Sequence, residues 1–410
     1  MIRITYFILV SVLFPMTFFS QDILPMVYDT SSRKQEIILN GSIELSATAI
    51  SNSVITYFIN GGEIPLGVRQ ENYDKHEGLN RAGFMFNSEI EYRNYSVNLF
   101  KKKPWGIVVK AGVYSLGSSR YTDGVFGVAF LGNEPFLGQK VNLSNSNFSF
   151  LSAHKLGFGL IDPKTKSSVT LNIYGIRNYS SVVLNEASLI QDEDGFNAEI
   201  VLNGTVETLA RNTFYKGIGV GLDANFILPA TMFNRVSYIQ FQVQNLGVGF
   251  LTGNKVQYEM DTTIQFTGYE INELVGDNSI TNGNATLLNE IGLRQDTVAA
   301  RPIAIPFTVQ IGKIIDEQNT RRFQSFFGFR AFYQKGAIPQ VYAGVQHRAT
   351  DWLRIGASAS YGGFSKLRIG LYANAVFKSF NAGIGTNNLI GLVSKKGLGQ
   401  AFLLRLNYVL

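Results

Sequence analysis

The residues that could do chemistry are few and scattered. The chain of 410 residues has three histidines: His76 in the charged run Asp74-Lys75-His76-Glu77, His154 inside an alternating segment, and His347 beside Arg348. A metal site gathers several ligands, usually from closely spaced pairs, and no two of these histidines are so placed. There is no cysteine, which excludes thiol catalysis, disulfides, cysteine metal sites and a lipid anchor on a terminal thiol. No Gly-x-Ser-x-Gly elbow occurs, so the usual setting of a hydrolase serine is missing. Asp192-Glu193-Asp194-Gly195 has the charge for calcium without the EF-hand spacing, and reads as a solvated loop tip. Gly217-Ile218-Gly219-Val220-Gly221-Leu222 spaces its glycines evenly but no helix follows, so it is no phosphate cradle. The expectation is a protein with no catalytic residues, no metal and no cofactor.

Net charge is +6 with a pI near 9.2, a balance too spread out for nucleic-acid binding, which needs a clustered basic surface. Lys101–Lys103, just before Trp105, reads as a charged turn.

What organises the chain is a two-residue beat. Ile218, Val220, Leu222, Ala224 and Phe226 alternate with Gly217, Gly219, Gly221, Asp223 and Asn225; Ile239, Phe241 and Val243 alternate with Gln240, Gln242 and Gln244. Leu353, Ile355, Ala357, Ala359 and Tyr361 face away from Arg354, Gly356, Ser358 and Ser360, and the carboxyl-terminal run sets Phe402, Leu404, Leu406, Tyr408 and Leu410 against Leu403, Arg405, Asn407 and Val409. Side chains switch faces at each strand residue, so each segment has one apolar and one polar wall. A soluble sandwich alternates too, but its strands run nearer five or six residues. These segments run about nine to eleven, the length that crosses a bilayer at a tilt. The reading is a transmembrane antiparallel β-barrel, all-β, of about 14 strands (14–16), with lipid outside and a wet lumen inside. Gln240, Gln242, Gln244, Arg354, Arg368 and Arg405 are expected to face that lumen. Glycine at 41 residues suits twisted strands and crowded lumen walls.

Arg3 is the only charge before Asp22, and residues 4–19 are mostly apolar, so residues 1–20 read as a secretory signal peptide cleaved near Ser20–Gln21. Beyond residue 20 every apolar run is short and broken, which excludes a helical inner-membrane protein; mean hydropathy of +0.07 agrees. Residues 21–410 form the barrel, with strands expected at 36–49, 54–62, 84–93, 105–116, 148–160, 167–178, 181–189, 196–206, 215–227 and 238–249. The beat resumes at 305–314, 323–333, 340–348, 352–361, 367–377, 380–386 and 400–410. Residues 63–83 read as a loop.

Two stretches break the beat. Within 118–147, Thr122 and Asp123 can cap a short apolar helix, and the segment continues through Gly132-Asn133-Glu134-Pro135-Phe136-Leu137-Gly138. It is expected to plug or gate the lumen through Val125, Phe126, Val128, Phe130, Asn133 and Phe136. The second stretch, 251–302, is long enough to be a folded lid or plug.

The helix leading into Gly132–Gly138 and the strands from Phe148, the long insert before Pro302, and Gly385-Thr386-Asn387-Asn388-Leu389-Ile390-Gly391-Leu392 with Lys395-Lys396-Gly397 together resemble a Bacteroidota outer-membrane barrel family of unknown function, distantly FadL-like or PorV-like. The resemblance implies a plugged barrel in the cell outer membrane and carries no catalytic residues. Two functions follow from it as expectations. One is a channel for a hydrophobic or amphipathic small molecule; the other is a non-catalytic accessory or scaffold subunit of a larger outer-membrane secretion or barrel-assembly complex. Partners are then outer-membrane lipid and either a hydrophobic ligand or that complex, with no nucleic acid.

Overall fold

The computed structural model describes residues 27–28, 34–97, 105–209, 213–232, 235–252, 255–266, 294–298, 302–316 and 319–410. The signal peptide, its cleavage bond, Lys101–Lys103 and the middle of the 251–302 insert lie outside the described residues.

Alternation turns into strands almost everywhere it occurs. They are β1 (Val27–Tyr28), β2 (Gln35–Ala47), β3 (Leu79–Asn94), β4 (Gly106–Thr122), β5 (Lys140–Asn142), β6 (Ser146–Ile161), β7 (Ser168–Gln191), β8 (Ala198–Leu209), β9 (Gly217–Met232) and β10 (Arg235–Leu251). There follow β11 (Lys255–Phe266), β12 (Arg294–Val298), β13 (Pro302–Ile305), β14 (Phe307–Asp316), β15 (Phe323–Tyr333), β16 (Ile338–Arg348), β17 (Leu353–Gly363), β18 (Leu367–Val376), β19 (Phe380–Thr386) and β20 (Gly399–Val409). Among the described residues four α-helices interrupt them: α1 (Asn52–Asn60), α2 (Leu66–Tyr73), α3 (Asp123–Leu131) and α4 (Leu389–Val393). No helix among the described residues is long and apolar enough to cross a membrane.

Fourteen strands close a barrel in the order β2-β3-β4-β6-β7-β9-β10-β14-β15-β16-β17-β18-β19-β20, with β20 returning antiparallel onto β2 through Glu36↔Val409 to Ser46↔Gly399. Closure leaves no sheet edge in the wall. β13 continues β14 beyond Pro306 and pairs with β10. β2 starts and β20 finishes at one end, where connections such as 162–167, 349–352 and 377–379 are short; we call it the hairpin end. α1 to α4 and the longer connections sit at the other, the loop end.

Three expectations need correction. Residues 54–62, read as a strand from Val54, Ile55, Tyr57 and Phe58, belong to α1, which is closed by Gly61 at φ 76; β-branched content gave way to tertiary packing, as propensity does. The loop 63–83 contains α2 and the start of β3. The two strands expected at 167–178 and 181–189 are one strand of 24 residues, β7. Its first half pairs with β9 in the barrel, and its second half leaves the wall to pair with β8. β8 pairs with β11 and β11 with β12, while β5 adds to β7, so an annex sheet rises past the loop end.

The outer wall is apolar and bare: Leu171 and Ile218 are each 61% exposed, and Leu156, Phe158, Ile173, Val220, Leu228, Val341 and Ile355 are exposed with them. Aromatic rings mark its rims. Trp352 stacks on Phe377 at 6.0 Å at the hairpin end, and Phe307 on Tyr333 at 4.9 Å at the loop end.

Candidate functional site: the barrel lumen

Register fixes which side chains share the lumen. Gln310 faces Gln242 on one side and Arg330 on the other; Arg330 faces Gln340, and Ser360 faces Arg368. Gln240, Gln242, Gln244, Arg354, Arg368 and Arg405 all lie on the face opposite the exposed apolar residues. Gln240 donates to Asn225 Oδ1 at 2.7 Å, and Arg405 Nε to Asn40 Oδ1 at 2.9 Å. Arg368 pairs with Glu44, which Ser46 also reaches at 2.7 Å. On the outer face Phe241 is 38% exposed, but Val243 only 9%, where a bulge at Gln244 and Asn245 interrupts β10.

Toward the hairpin end the lumen holds a belt of ion pairs. Lys155 lies 2.5 Å from Glu89 and 3.3 Å from Asp223, Lys110 lies 3.4 Å from Asp223 and 3.6 Å from Glu89, and Arg93 bridges Glu36 and Glu91 at 3.3 and 2.6 Å. Asp223 also accepts from the Asn245 backbone N–H at 2.8 Å, so the β10 bulge is tied into the belt. Buried charges are tolerable only when paired and hydrogen-bonded in this way. The belt spans β2, β3, β4, β6, β9 and β10, one side of the barrel wall.

Toward the loop end the same face is apolar. Met85, Leu116, Leu151, Tyr174, Ile176, Leu251, Ile303 and Ile305 form one buried cluster, and Phe364 with Phe332 packs on it from the opposite wall. The glycines at 217, 219 and 249 make this possible, since a Cβ at Gly219 would stand 3.0 Å from Ile305 and one at Gly249 2.6 Å from Ile176. Two short hairpin tips turn inward over the cluster. At the β15–β16 tip, Gln334 Nε2 donates to Ser118 Oγ at 2.7 Å and Ser149 Oγ at 3.1 Å across the lumen. At the β17–β18 tip, the Phe364 ring lies on Gly83 of β3, and Ser365 Oγ donates to the Ala47 carbonyl at 3.3 Å.

Beside the β15–β16 tip lies a half-open pocket of about 450 Å³, lined mainly by Leu151, Tyr179, Pro306, Phe332 and Tyr333 with Ser149, Ser181 and Gln334 supplying polar groups. Its size falls within the range of small-molecule pockets, roughly 300–1,000 Å³, and its mostly apolar lining with a few polar groups is typical of them.

The segment 118–147 takes a different place. Thr122 Oγ1 accepts from the Val125 N–H and caps α3. Phe126 stacks on His76 at 4.2 Å and on Phe130 at 4.3 Å, and Phe130 meets Phe58 edge-on at 5.9 Å. Val128 packs on the cluster of Phe136, Val141 and Leu189; Asn133 Nδ2 donates to Gln191 Oε1 at 2.7 Å. Val125 is half-buried. The helix is thus brought together with α1, α2, β5 and the foot of the annex sheet as a cap on one side of the loop end. The inward hairpin tips and the charge belt were not anticipated, although Lys110, Lys155, Glu89 and Asp223 each sit on the polar beat of their strand.

The remaining candidates sit in local contacts. His76 Nδ1 donates to the Asn72 carbonyl at 2.8 Å and its Nε2 lies 3.2 Å from Tyr121 Oη, His154 contacts Tyr215 Oη at 3.0 Å on the outer face, and His347 stacks on Phe323 at 4.5 Å. Asp192-Glu193-Asp194-Gly195 is the tight β7–β8 turn, with Gly195 at φ 78. Among the described residues no group of histidine and carboxylate side chains could hold a metal ion.

No family model matches this chain, and no curated protein does. Among solved structures, the TodX deltaS2S3 mutant monoaromatic hydrocarbon channel shares 9% identity over 92% of this chain and 90% of that one, with a TM-score of 0.40. The P. putida toluene transporter TodX shares 10% over 93% and 91%, TM-score 0.35. The translocator domain of the autotransporter NalP from Neisseria meningitidis shares 7% over 93% and 91%, TM-score 0.26. At these scores the likenesses are loose and fix no substrate.

Proposed function

We propose that this chain spans an outer membrane, loop end outward, as a channel that rests closed and admits a small apolar or amphipathic solute. The bare apolar wall with aromatic rims supports the membrane placement: such a surface on a closed barrel is covered by lipid, with short turns on the periplasmic side and long loops outside. Lys313, on that wall near the hairpin end, turns its Nζ to the Ser325 carbonyl, as a cation at a membrane rim does. Export through a cleaved leader at 1–20 belongs to the same reading.

The observation that carries the solute is the half-open 450 Å³ pocket at the loop end. The β15–β16 tip residues Gln334 and Lys335 line it, it shares Leu151 with the apolar cluster, and the charge belt lies toward the hairpin end. The α3 segment with Val125, Phe126, Val128, Phe130, Asn133 and Phe136 is the outer cover, and the tips are the inner one. No step of this function needs catalysis or a cofactor. Calorimetry with the purified barrel in lipid nanodiscs tests it: wild type should bind a small uncharged aromatic such as benzyl alcohol, and Ser181→Trp, which fills the cavity, should weaken binding at least tenfold. Equal binding by the two proteins would remove the cavity from the account.

A second reading, a non-catalytic subunit docked on a larger outer-membrane assembly, has the annex sheet in its favour. β5, β7, β8, β11 and β12 project beyond the barrel mouth, with Phe196 at the β7–β8 turn 69% exposed. Purification from native membranes separates the readings by yielding the barrel alone or in stoichiometric complex.

A further inference from the structure

Arg81 on β3 and Arg120 on β4 are direct cross-strand partners on the lumen face at the loop end, and Arg120 is in turn paired with Asn147 of β6. Like charges placed opposite one another destabilise an antiparallel pair. Elsewhere in this lumen arginines are answered: Arg368 by Glu44, Arg93 by Glu36 and Glu91, Arg330 by Gln310 at 2.8 Å. Among the described residues, neither the Arg81 nor the Arg120 guanidinium has a hydrogen-bond or ion-pair partner, and both Nε atoms are buried. The β15–β16 tip closes the space over them, with Gly336 at φ 85 seated on the backbone of Ser119.

The pair is linked to the pocket through Gln334, which lines it and bonds β4. Ser118, which Gln334 bonds, is two residues from Arg120 along β4, roughly 6.6 Å at 3.3 Å per residue, and Ser149 lines the cavity itself. Lys335 adds a third cation at the rim. Two arginines at facing positions, neither guanidinium bonded among the described residues, supply the donors that a carboxylate or phosphate takes. Rings of Arg and Lys are also how pores select anions.

We propose that Arg81 and Arg120 form an oxyanion subsite at the lumen mouth, so that the solute taken into the cavity carries a phosphate or carboxylate group beside its apolar part. This rests on the reading of the cavity as a solute site. The oxyanion occupies the space between the two guanidiniums and cancels their repulsion, and the apolar part lies below against Leu151 and Phe332.

Calorimetry in nanodiscs with three probes tests it: phenyl phosphate, inorganic phosphate and benzyl alcohol, each against wild type and the Arg81→Gln/Arg120→Gln double variant. A heat-dependent shift in electrophoretic mobility confirms that the variant is a folded barrel. Phenyl phosphate should bind wild type at least tenfold more tightly than the variant, while benzyl alcohol binds both alike. Inorganic phosphate binding as well as phenyl phosphate would make the free anion the ligand. Phenyl phosphate binding equally to both proteins overturns the subsite and leaves the cavity reading standing if benzyl alcohol still binds. Arginine-dependent phosphate binding without any binding of benzyl alcohol would do the reverse, and no binding by any probe overturns both.

Discussion

Gln334 and Ser118 are joined across the lumen: the amide nitrogen at the β15–β16 tip lies 2.7 Å from the hydroxyl on β4. This bond, with its partner to Ser149 and the Phe364 ring laid on Gly83, closes the barrel from its own hairpins. Neutral hydrogen bonds of this kind contribute about 0.5–1.5 kcal/mol each, and burial of a ring such as Phe364 about 1.5–3 kcal/mol. On the proposed channel reading, a closure of that strength would hold the resting state and yield to a bound solute.

The two faces of β10 should respond oppositely to charge. Phe241→Lys, on the exposed wall in mid-strand, is expected to cost about 2–4 kcal/mol, whereas Gln242→Lys, on the lumen face, should be tolerated. Urea unfolding in lipid vesicles measures both, and equal costs would mean the register of β10 is wrong.

Lys155→Met should be among the most damaging single changes. It strips Glu89 and Asp223 of a cation held at 2.5 and 3.3 Å, and breaking a buried ion pair typically costs about 3–5 kcal/mol. The same unfolding assay reads it; a loss under 1 kcal/mol would show that water reaches the belt and screens it.

Gly356 lies beneath the Tyr372 ring, where any Cβ would strike the aromatic carbons. Gly356→Ala should therefore destabilise by about 1–3 kcal/mol, the usual cost of overpacking. Combining it with Tyr372→Leu should cost less than the sum of the two single changes, and strict additivity would show that the ring does not lie on the glycine.

The cap should loosen in acid. Burial depresses the pKa of His76 below its ordinary value of 6.5, against the opposing pull of the Asn72 carbonyl and Asp123. The folded cap thus favours the neutral ring, so its stability is complete above about pH 6.5 and is lost as pH falls from there through the depressed value. Hydrogen exchange in α3 should accelerate over that window, and His76→Gln should abolish the change; identical pH dependence in the variant would assign it to another group.

The barrel was legible because its wall obeys a purely local rule. Ile218 and Gly217 fall on opposite faces whatever they touch, so β9 announces both walls, and Thr122 with Asp123 announces α3 as plainly. Val54 to Phe58 misled because β-branched and aromatic residues suit a strand, while α1 is held by distant partners, Ser51 to Asn72 at 2.8 Å and Asn52 to the Gly391 carbonyl at 2.6 Å. The lumen contents were hidden for the same reason. Lys155 meets Asp223, and Gln334 meets Ser118, only after the sheet has closed on itself. A tip reading Gln334-Lys335-Gly336-Ala337 looks like any solvated hairpin until its opposite wall is in place.

Single-channel conductance in planar bilayers tests the central claim most directly, that this is a channel shut by its inward hairpin tips. Wild type should insert and stay near the baseline current, while the Phe364→Ala/Gln334→Ala double variant, inserted to the same level and heat-modifiable like wild type, should show frequent discrete openings. A double variant as silent as wild type, or a wild type already open, would contradict it.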